Sequence, residues 1–595
     1  MSDEFPPLAI LPQLTLHPSI NPGQIEPAAI VSSWLQSFVE CLEKGDISGH
    51  FLDKESWWRD FTSFSWDIAC HNGAEAISNY LRSSKVEFSD PKADQPGALQ
   101  PQLADLGGMR FIQSGFSFKT KFGTGKGVLR LASVGPEEWK AWTVFTILEK
   151  LHQKTDPGQL ETKAKGQSSA ACQDTGEPQV LIVGAGQSGL GLAAHLQNLG
   201  ISYLLVEKAS QPGEAWRDRY STIKLHTPLY ADHYPFMKYP SNWPLYLDQE
   251  HILKWMDHYQ HIMGLNVRYD TLVENVGFHQ SAEQYSAQLR SKNGVETIRP
   301  RHVVLATGVL SNVPICPQFR GQDSFKGQIS HTAAYESANQ IPDVENKKIT
   351  IIGAGTSAHD VAQDLVNHGA KHVTMVQRGR MFVTSLNSLE NIQTSLWNTP
   401  GISTDDADLL GNSFPIPVTR TLSVGASQMM SLNDKALLEG LEKAGMALKR
   451  GDEGDSLLDH QLIKTGHFYI DQGASEMIID GRIRVKRCEK GVQEFYQDGI
   501  ILVDGTKIDS DLVILATGFE GCTNTMKQIM GEEFMTKAGN ICGLDESQER
   551  IGTWRPSGMP GFWFMTGSFM WSRQFAPVLA LQIAAIERGL NSYQA

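Results

Sequence analysis

Two glycine turns in one chain, set in the same frame, constrain this sequence more than any other feature. The first lies in VLIVGAGQSGLGLAAHLQNLGISYLLVEK, with Gly184, Gly186 and Gly189. The second lies in ITIIGAGTSAHDVAQDLVNHGAKHVTMVQRG, with Gly353, Gly355 and Ala358. The spacing alone is weak, because 54 glycines in 595 residues give roughly 0.4 accidental GxGxxG matches. The context supplies the strength. Each turn follows an apolar β-branched run (Val180 to Val183, Ile349 to Ile352) that reads as a buried parallel strand. Each precedes a helical pattern: Leu190, Ala193, Ala194 and Leu196 in one, Val361, Ala362, Leu365 and Val366 in the other. Each helix stops at a glycine, Gly200 or Gly369, and a second apolar strand follows.

Strand, glycine turn, helix and strand together form a dinucleotide-binding unit. Gly184 and Gly353 make the tight turn. Gly186 and Gly355 let a pyrophosphate approach the backbone. Gly189 and Ala358 let the helix pack closely on the strand. The helix N-terminus offers free N–H groups and a positive dipole end to the phosphates. The two units differ where their second strands end, at Glu207 in one and at Gln377-Arg378 in the other. A carboxylate accepts hydrogen bonds from ribose hydroxyls and repels a 2′-phosphate, whereas Arg378 pairs with one. Two dinucleotides, one of them NADP, point to an electron-transfer enzyme.

Further motifs surround the two units. FKGQISHTAAY fits FxGxxxHxxxY through Phe325, Gly327, His331 and Tyr335. Apolar strands end in Ala306-Thr307-Gly308 and, after Asp511, in Ala516-Thr517-Gly518-Phe519. GEAWRDRYSTIKLHTP carries Gly213, Trp216, Arg217, His226 and Thr227. As a set, across roughly 178 to 590, these residues resemble the class B flavin-containing monooxygenases, and the WRDRYSTIKLHTP stretch is most similar to the YUCCA-type members. The resemblance implies that Gly184, Gly186, Gly189 and Glu207 hold FAD, and that Gly353, Gly355, Thr356, Ser357 and Arg378 hold NADPH. It places Trp216, His226 and Thr227 near the flavin ring. His331 and Thr227 are the candidate catalytic residues, with His331 expected to act mainly by position.

The resemblance also implies the chemistry. NADPH reduces FAD, reduced flavin traps dioxygen as a 4a-hydroperoxide, and one oxygen atom passes to a small, fairly apolar organic substrate. Two departures stand out. Animal-type members carry an Asn in the segment that reads Leu225-His226-Thr227-Pro228 here, and Baeyer–Villiger members carry Trp where this chain has Tyr335. The alternative is an uncoupled or non-catalytic flavoprotein whose N-terminal region serves as an interaction module, with a homodimer left open. A dithiol–disulfide reductase needs a cysteine pair beside the flavin, commonly CxxC. The seven cysteines (Cys41, Cys70, Cys172, Cys316, Cys488, Cys522, Cys542) are not spaced that way.

The expected fold class is α/β, with two Rossmann-like dinucleotide-binding domains preceded by a small α+β domain. Residues 1–27 read as a loose Pro-rich arm. Residues 28–153 read as a helix, aromatic-rich turns and several strands, similar to the nuclear-transport-factor-like cones shared with polyketide cyclases. Asp60 is the candidate buried acid there, against a simpler role capping a turn. The Gly123, Gly125 and Gly127 run reads as a hairpin rather than a phosphate loop. Residues 154–177 read as a linker. The FAD-binding domain is expected over 178–340 and 466–595, and the NADPH-binding domain over 341–465. Residues 385–465 form an insertion on the substrate side, with Met429, Met430 and Leu432 as pocket or core residues. Ser572 and Arg573 are expected in a loop before a terminal helix, Phe575 to Ile586.

A net charge of −14 argues against nucleic acid or an anionic membrane as partner. The terminal helix is too short and too polar at its ends to span a membrane. The acidic start MSDEFPPLAI has no signal-peptide core, and the odd, scattered cysteines suit a reducing compartment, so cytoplasm is the expected location.

Overall fold

The computed structural model describes residues 5–152 and 177–593. The expected linker falls outside them except for Glu177, as does Cys172. Two five-stranded, all-parallel sheets carry the glycine turns. The first has the spatial order Val267–Arg268, Tyr203–Val206, Val180–Val183, His302–Leu305, Phe562–Phe564. The second has the order Gln328–His331, Leu512–Leu515, Lys348–Ile352, His372–Gln377, Ile483–Arg487. In each, the strand that ends in ATG lies directly beside the fingerprint strand, so Val303 pairs Leu181 and Val513 pairs Thr350. This corrects the expected division. Strands from 328–331, 483–487 and 512–515 complete the second sheet, so that its fingerprint strand Lys348–Ile352 has a parallel neighbour on each side.

A seven-stranded sheet precedes them, wrapped on the helices Pro27–Lys44 and Ala74–Ser84. Strand alternation gives its central strands two different faces. One row, with Trp58, Val144 and Leu129, packs on Trp34, Phe38, Phe51, Phe64 and Phe88 to make a closed aromatic core. The other row, with Arg59, Phe61, Arg130 and Phe145, turns outward onto the remainder of the chain. Phe61 lies 5.5 Å from the ring of Phe575. Arg59 forks onto Glu549 at 2.6 and 2.9 Å and donates to the Asn412 carbonyl at 2.7 Å. Arg130 donates to Ser413 Oγ at 2.8 Å and sits 3.6 Å from the Phe414 ring. Arg555 adds a partly exposed fork to Asp67 at 2.8 and 2.9 Å.

The N-terminal arm is not loose over its described part. The Pro7 carbonyl accepts from Arg420 and Gln548, the Ala9 carbonyl accepts from Thr421, and the Leu14 carbonyl accepts from the Arg110 N–H. Leu14 is buried beside Phe111, Trp142 and Val418. Carbonyl groups along a Pro-rich segment are free to accept, which lets such a segment act as a strap.

The insertion is helical, with Thr404–Asn412, Ile416–Asn433 and Lys435–Lys443. Met430 joins the core, but Met429 and Leu432 are 59% and 74% exposed, so neither fills a core. The terminal helix is Phe569–Glu587, with Ser568 as its cap. Ser572 and Arg573 therefore lie inside it and are buried, not in a loop. The Ser568 hydroxyl accepting from Trp571 N starts the helix earlier than the apolar periodicity alone predicts. Among the described residues no helix is long and apolar enough to cross a membrane.

Candidate functional site

Each glycine of the first turn meets a different environment. Gly184 has φ +106°, and a Cβ there would lie 2.7 Å from the Ala306 carbonyl oxygen. A Cβ on Gly189 would lie 2.0 Å from the Gly184 carbonyl oxygen. At Gly186, the N-cap of the helix Gln187–Asn198, a Cβ would meet nothing within 4 Å. The first and third glycines are required by protein packing, and the second faces open space at a helix N-terminus. Glu207 sits beside that space. Its carboxylate accepts from Ala185 N at 2.8 Å and Ala209 N at 3.1 Å.

The second turn repeats this geometry. Gly353 has φ +129°, with the Ala516 carbonyl oxygen 2.4 Å from where a Cβ would be. Gly355 caps the helix Thr356–Asn367 and faces open space, and Ala358 is fully buried. The ATG strands thus have a local purpose, since the carbonyls of Ala306 and Ala516 close against the two turns. Thr356 spends its hydroxyl on the Phe468 carbonyl at 3.1 Å. Ser357 accepts from Arg219 at 3.4 Å. Gln377 is buried and hydrogen-bonded to Gly379 and Ala447, so it is scaffold. Arg378 is exposed and has no carboxylate partner among the described residues.

The WRDRYSTIKLHTP segment ties the units together. Trp216 stacks on Phe569 at 6.0 Å and packs against the cores of both units. Tyr220 donates to Asp360 at 2.6 Å, and Ser221 N donates to the Glu336 carbonyl at 3.1 Å. His226 meets the edge of Tyr469 at 6.4 Å, and Tyr469 stacks on His359 at 4.0 Å. Burial lowers both imidazoles below the ordinary histidine range, so they are neutral near pH 7. Thr227 is half-buried next to His226.

The FxGxxxHxxxY residues have mostly packing roles. Phe325 packs on Phe495, and a Cβ on Gly327 would strike the Phe325 ring at 2.4 Å. Tyr335 donates to the buried Asp364 at 2.6 Å. His331 ends its strand opposite Leu515, accepts from Ala333 N at 3.0 Å and stands edge-on to Phe519 at 5.3 Å. Its ring is buried at the crossover between the units, and burial lowers its pKa.

Several contributors carry no sequence signal. Tyr469 and His359 come together only through the fold. Asp232 lies on the loop after Thr227 and accepts from Met570 N at 2.6 Å. Burial pushes its carboxyl up to about 7, against the pull of Met570 N and Arg573. The helix that positions it also touches the first turn through Ser572 to Ser188, and the Gly567 carbonyl just before the helix accepts from Gln187. Arg573 itself forks onto Asp408 at 2.8 Å, which joins the terminal helix to the insertion.

Asp60, by contrast, belongs to the N-terminal seven-stranded sheet. It is fully buried and accepts from Ser63 N, Phe64 N, the Tyr80 hydroxyl and the Thr146 hydroxyl. Burial pushes it up to about 6, with those donors opposing. This geometry caps a turn beneath an aromatic core.

The arrangement fits two dinucleotides. Each helix N-terminus opens onto free space at its middle turn position, and Thr307 Oγ1 and His331 Nε2 are buried without a hydrogen-bond partner. Two such sites, locked to each other by Trp216, Tyr220 and Tyr335, define a protein built to hold two dinucleotides.

Residues 181–398 match the family model described as pyridine nucleotide-disulphide oxidoreductase. The indole-3-pyruvate monooxygenase YUCCA1 of Oryza sativa subsp. japonica is 27% identical over 61% of this chain and 82% of its own. The probable indole-3-pyruvate monooxygenase YUCCA8 of Arabidopsis thaliana is 29% identical over 60% of this chain and 78% of its own. In fold, the chain is similar to an ε-caprolactone-bound cyclohexanone monooxygenase, with a TM-score of 0.51 and 17% identity over 70% of this chain and 89% of that one. In sequence and in fold the chain is thus similar to flavin-dependent monooxygenases.

Proposed function

We propose that the first turn, with Gly184, Gly186, Gly189 and Glu207, holds FAD, and that the second, with Gly353, Gly355 and Arg378, holds NADPH. The observation that carries this reading is the pair of open helix N-termini at Gly186 and Gly355, each closed behind by the carbonyl of an ATG alanine. Once bound, the flavin supplies the hydride acceptance and the oxygen chemistry. The protein supplies orientation and shielding. Glu207 receives a ribose on the acceptor sites that Ala185 N and Ala209 N leave free. Trp216, His226, Tyr469 and His359 form an uncharged aromatic wall that restricts water. His331, held against Phe519, sets the crossover between the two units and acts by position. Thr356 is occupied by Phe468 and contributes its backbone N–H rather than its hydroxyl.

The substrate in this reading is a small, fairly apolar carbonyl compound, in keeping with the indole-3-pyruvate named for the relatives. The start of the insertion is held against the first unit, where Tyr230 meets Thr394 at 3.2 Å and Tyr246 donates to Glu390 at 2.6 Å. The N-terminal sheet, a cone of the nuclear-transport-factor type, works as a brace. Its aromatic core is filled and its charged row is spent on Glu549 and Ser413 within the same chain.

The test is a carbonyl panel, aromatic 2-oxo acids included, assayed for NADPH use and peroxide under isotopically labelled dioxygen. One labelled oxygen atom in a product, with NADPH consumed in equal amount, is the expected result. NADPH consumption matched by peroxide, with every product unlabelled, would instead make the protein an oxidase. In the same assay Arg378→Ala should raise the KM for NADPH about ten- to a hundredfold, the worth of one charge-assisted contact, and leave NADH unchanged. Equal losses on both cofactors would remove Arg378 from the 2′-phosphate.

A further inference from the structure

Cys522 and Cys542 lie 20 positions apart, a spacing that no CxxC criterion detects, yet their Sγ atoms are 3.3 Å apart. Cys522 is the first residue of the helix Cys522–Met530 and is 3% exposed, whereas Cys542 is only partly buried. A hairpin holds Cys542 in place, with its N–H on the Ile551 carbonyl and the Ile551 N–H on the Gly543 carbonyl, both at 3.1 Å. Its φ of +80° is a left-handed conformation that a cysteine adopts only when its surroundings impose it. Arg550, on the same hairpin, stacks its guanidinium 3.9 Å from the Trp571 ring and 4.7 Å from that of Trp554. The two thiols differ chemically. The hydrogen bond from Cys522 holds Cys542 below the usual thiol range, with Thr553 and Arg550 acting in the same direction against burial. That same bond, together with burial, pushes Cys522 up. Both thiols sit at the edge of the core on one face of the first sheet, with Val206, Leu305 and Phe562. They are therefore not the flavin-side pair of a disulfide reductase.

We propose that Cys522 and Cys542 form a peroxide-reactive dithiol, with Cys542 as the attacking sulfur and Cys522 as the resolving one. The Cys542 thiolate attacks one oxygen of hydrogen peroxide, the O–O bond breaks, hydroxide leaves, and Cys542 becomes a sulfenic acid. The Cys522 thiol attacks that sulfur, the S–O bond breaks, and the hydroxyl leaves as water with the Cys522 proton. Two thiols lose two electrons to form one disulfide, and one peroxide becomes two waters. Side-chain rotation and a small approach bring 3.3 Å to the roughly 2.05 Å of an S–S bond. The inference does not rest on the monooxygenase reading, since any source of peroxide suffices.

The test uses the full-length, flavin-loaded chain, exposed to peroxide, alkylated and mapped by mass spectrometry without reductant. The expected result is a cross-linked 522–542 peptide pair, lighter by two hydrogens, reversed by a dithiol reductant, with Cys41, Cys70, Cys316 and Cys488 still alkylated. Cys522→Ser should stop the reaction at a sulfenic acid on Cys542 that a dimedone probe captures. Cys542→Ser should leave Cys522 fully alkylated. The wild-type map decides the matter even if a variant folds poorly. Both cysteines alkylated after peroxide treatment, or Cys542 driven to sulfinic acid without a cross-link, would overturn the proposal. A cross-link formed during substrate-free NADPH turnover and suppressed by catalase supports the dithiol and names the enzyme as the peroxide source. A cross-link formed only with added peroxide supports it with an outside source.

Discussion

Gly186→Val should yield a folded, colourless protein. The position faces open space, so the new side chain meets no protein atom within 4 Å of its Cβ and the melting temperature should hardly move. The same side chain fills the volume that a pyrophosphate must enter above the helix N-terminus. Flavin retained per chain should fall at least about tenfold, equivalent to about 1.4 kcal/mol of lost binding. Gly189→Val is the contrasting control. Its Cβ would lie 2.0 Å from the Gly184 carbonyl, backbone that cannot yield cheaply, so the fold itself should suffer. Visible flavin absorbance and thermal melting, measured on both variants, separate the two effects. A yellow Gly186→Val protein would take the pyrophosphate away from this turn.

Arg59→Ala should loosen the N-terminal sheet from the rest of the chain. Arg59 and Glu549 are 5% and 2% exposed at their side chains, and the pair is forked. Removing one partner of a buried ion pair leaves an uncompensated charge and costs about 3–5 kcal/mol. The loss should appear as a lower first melting transition and faster proteolysis between the N-terminal sheet and the two dinucleotide units. Replacing both partners at once, Arg59→Met with Glu549→Leu, should recover most of the loss, because no charge is then stranded. Proteolysis and melting unchanged by Arg59→Ala would show that apolar contacts such as Phe61 on Phe575 suffice alone.

The two turns were legible in the sequence because a phosphate cradle needs a local pattern, with strand, glycines and helix contiguous in the chain. The ATG repeats were visible too, though their purpose was not. Only the parallel register reveals that Ala306 and Ala516 close against Gly184 and Gly353. The sheet membership of 328–331, 483–487 and 512–515 escaped because a parallel strand's neighbours are chosen across long crossovers, which no short window records. The same holds for Tyr469 with His359 and for Cys522 with Cys542. Arg573 was misplaced because a serine cap, not apolar periodicity, starts its helix. The arm was read as loose from its prolines, yet its carbonyls carry the contacts to Arg420 and Thr421.

That strap also orders the molecule in time. Pro7 leaves the ribosome long before its partners Arg420 and Gln548, which lie 413 and 541 positions later. Arg59 likewise waits for Glu549, 490 residues downstream. The N-terminal sheet closes its aromatic core early, from nearby strands, and then holds a row of arginines and phenylalanines uncovered while both nucleotide units are made. A stretch synthesised late therefore seals one made much earlier. A chain cut short before residue 549 would leave a finished small domain with an unsatisfied cationic, apolar face.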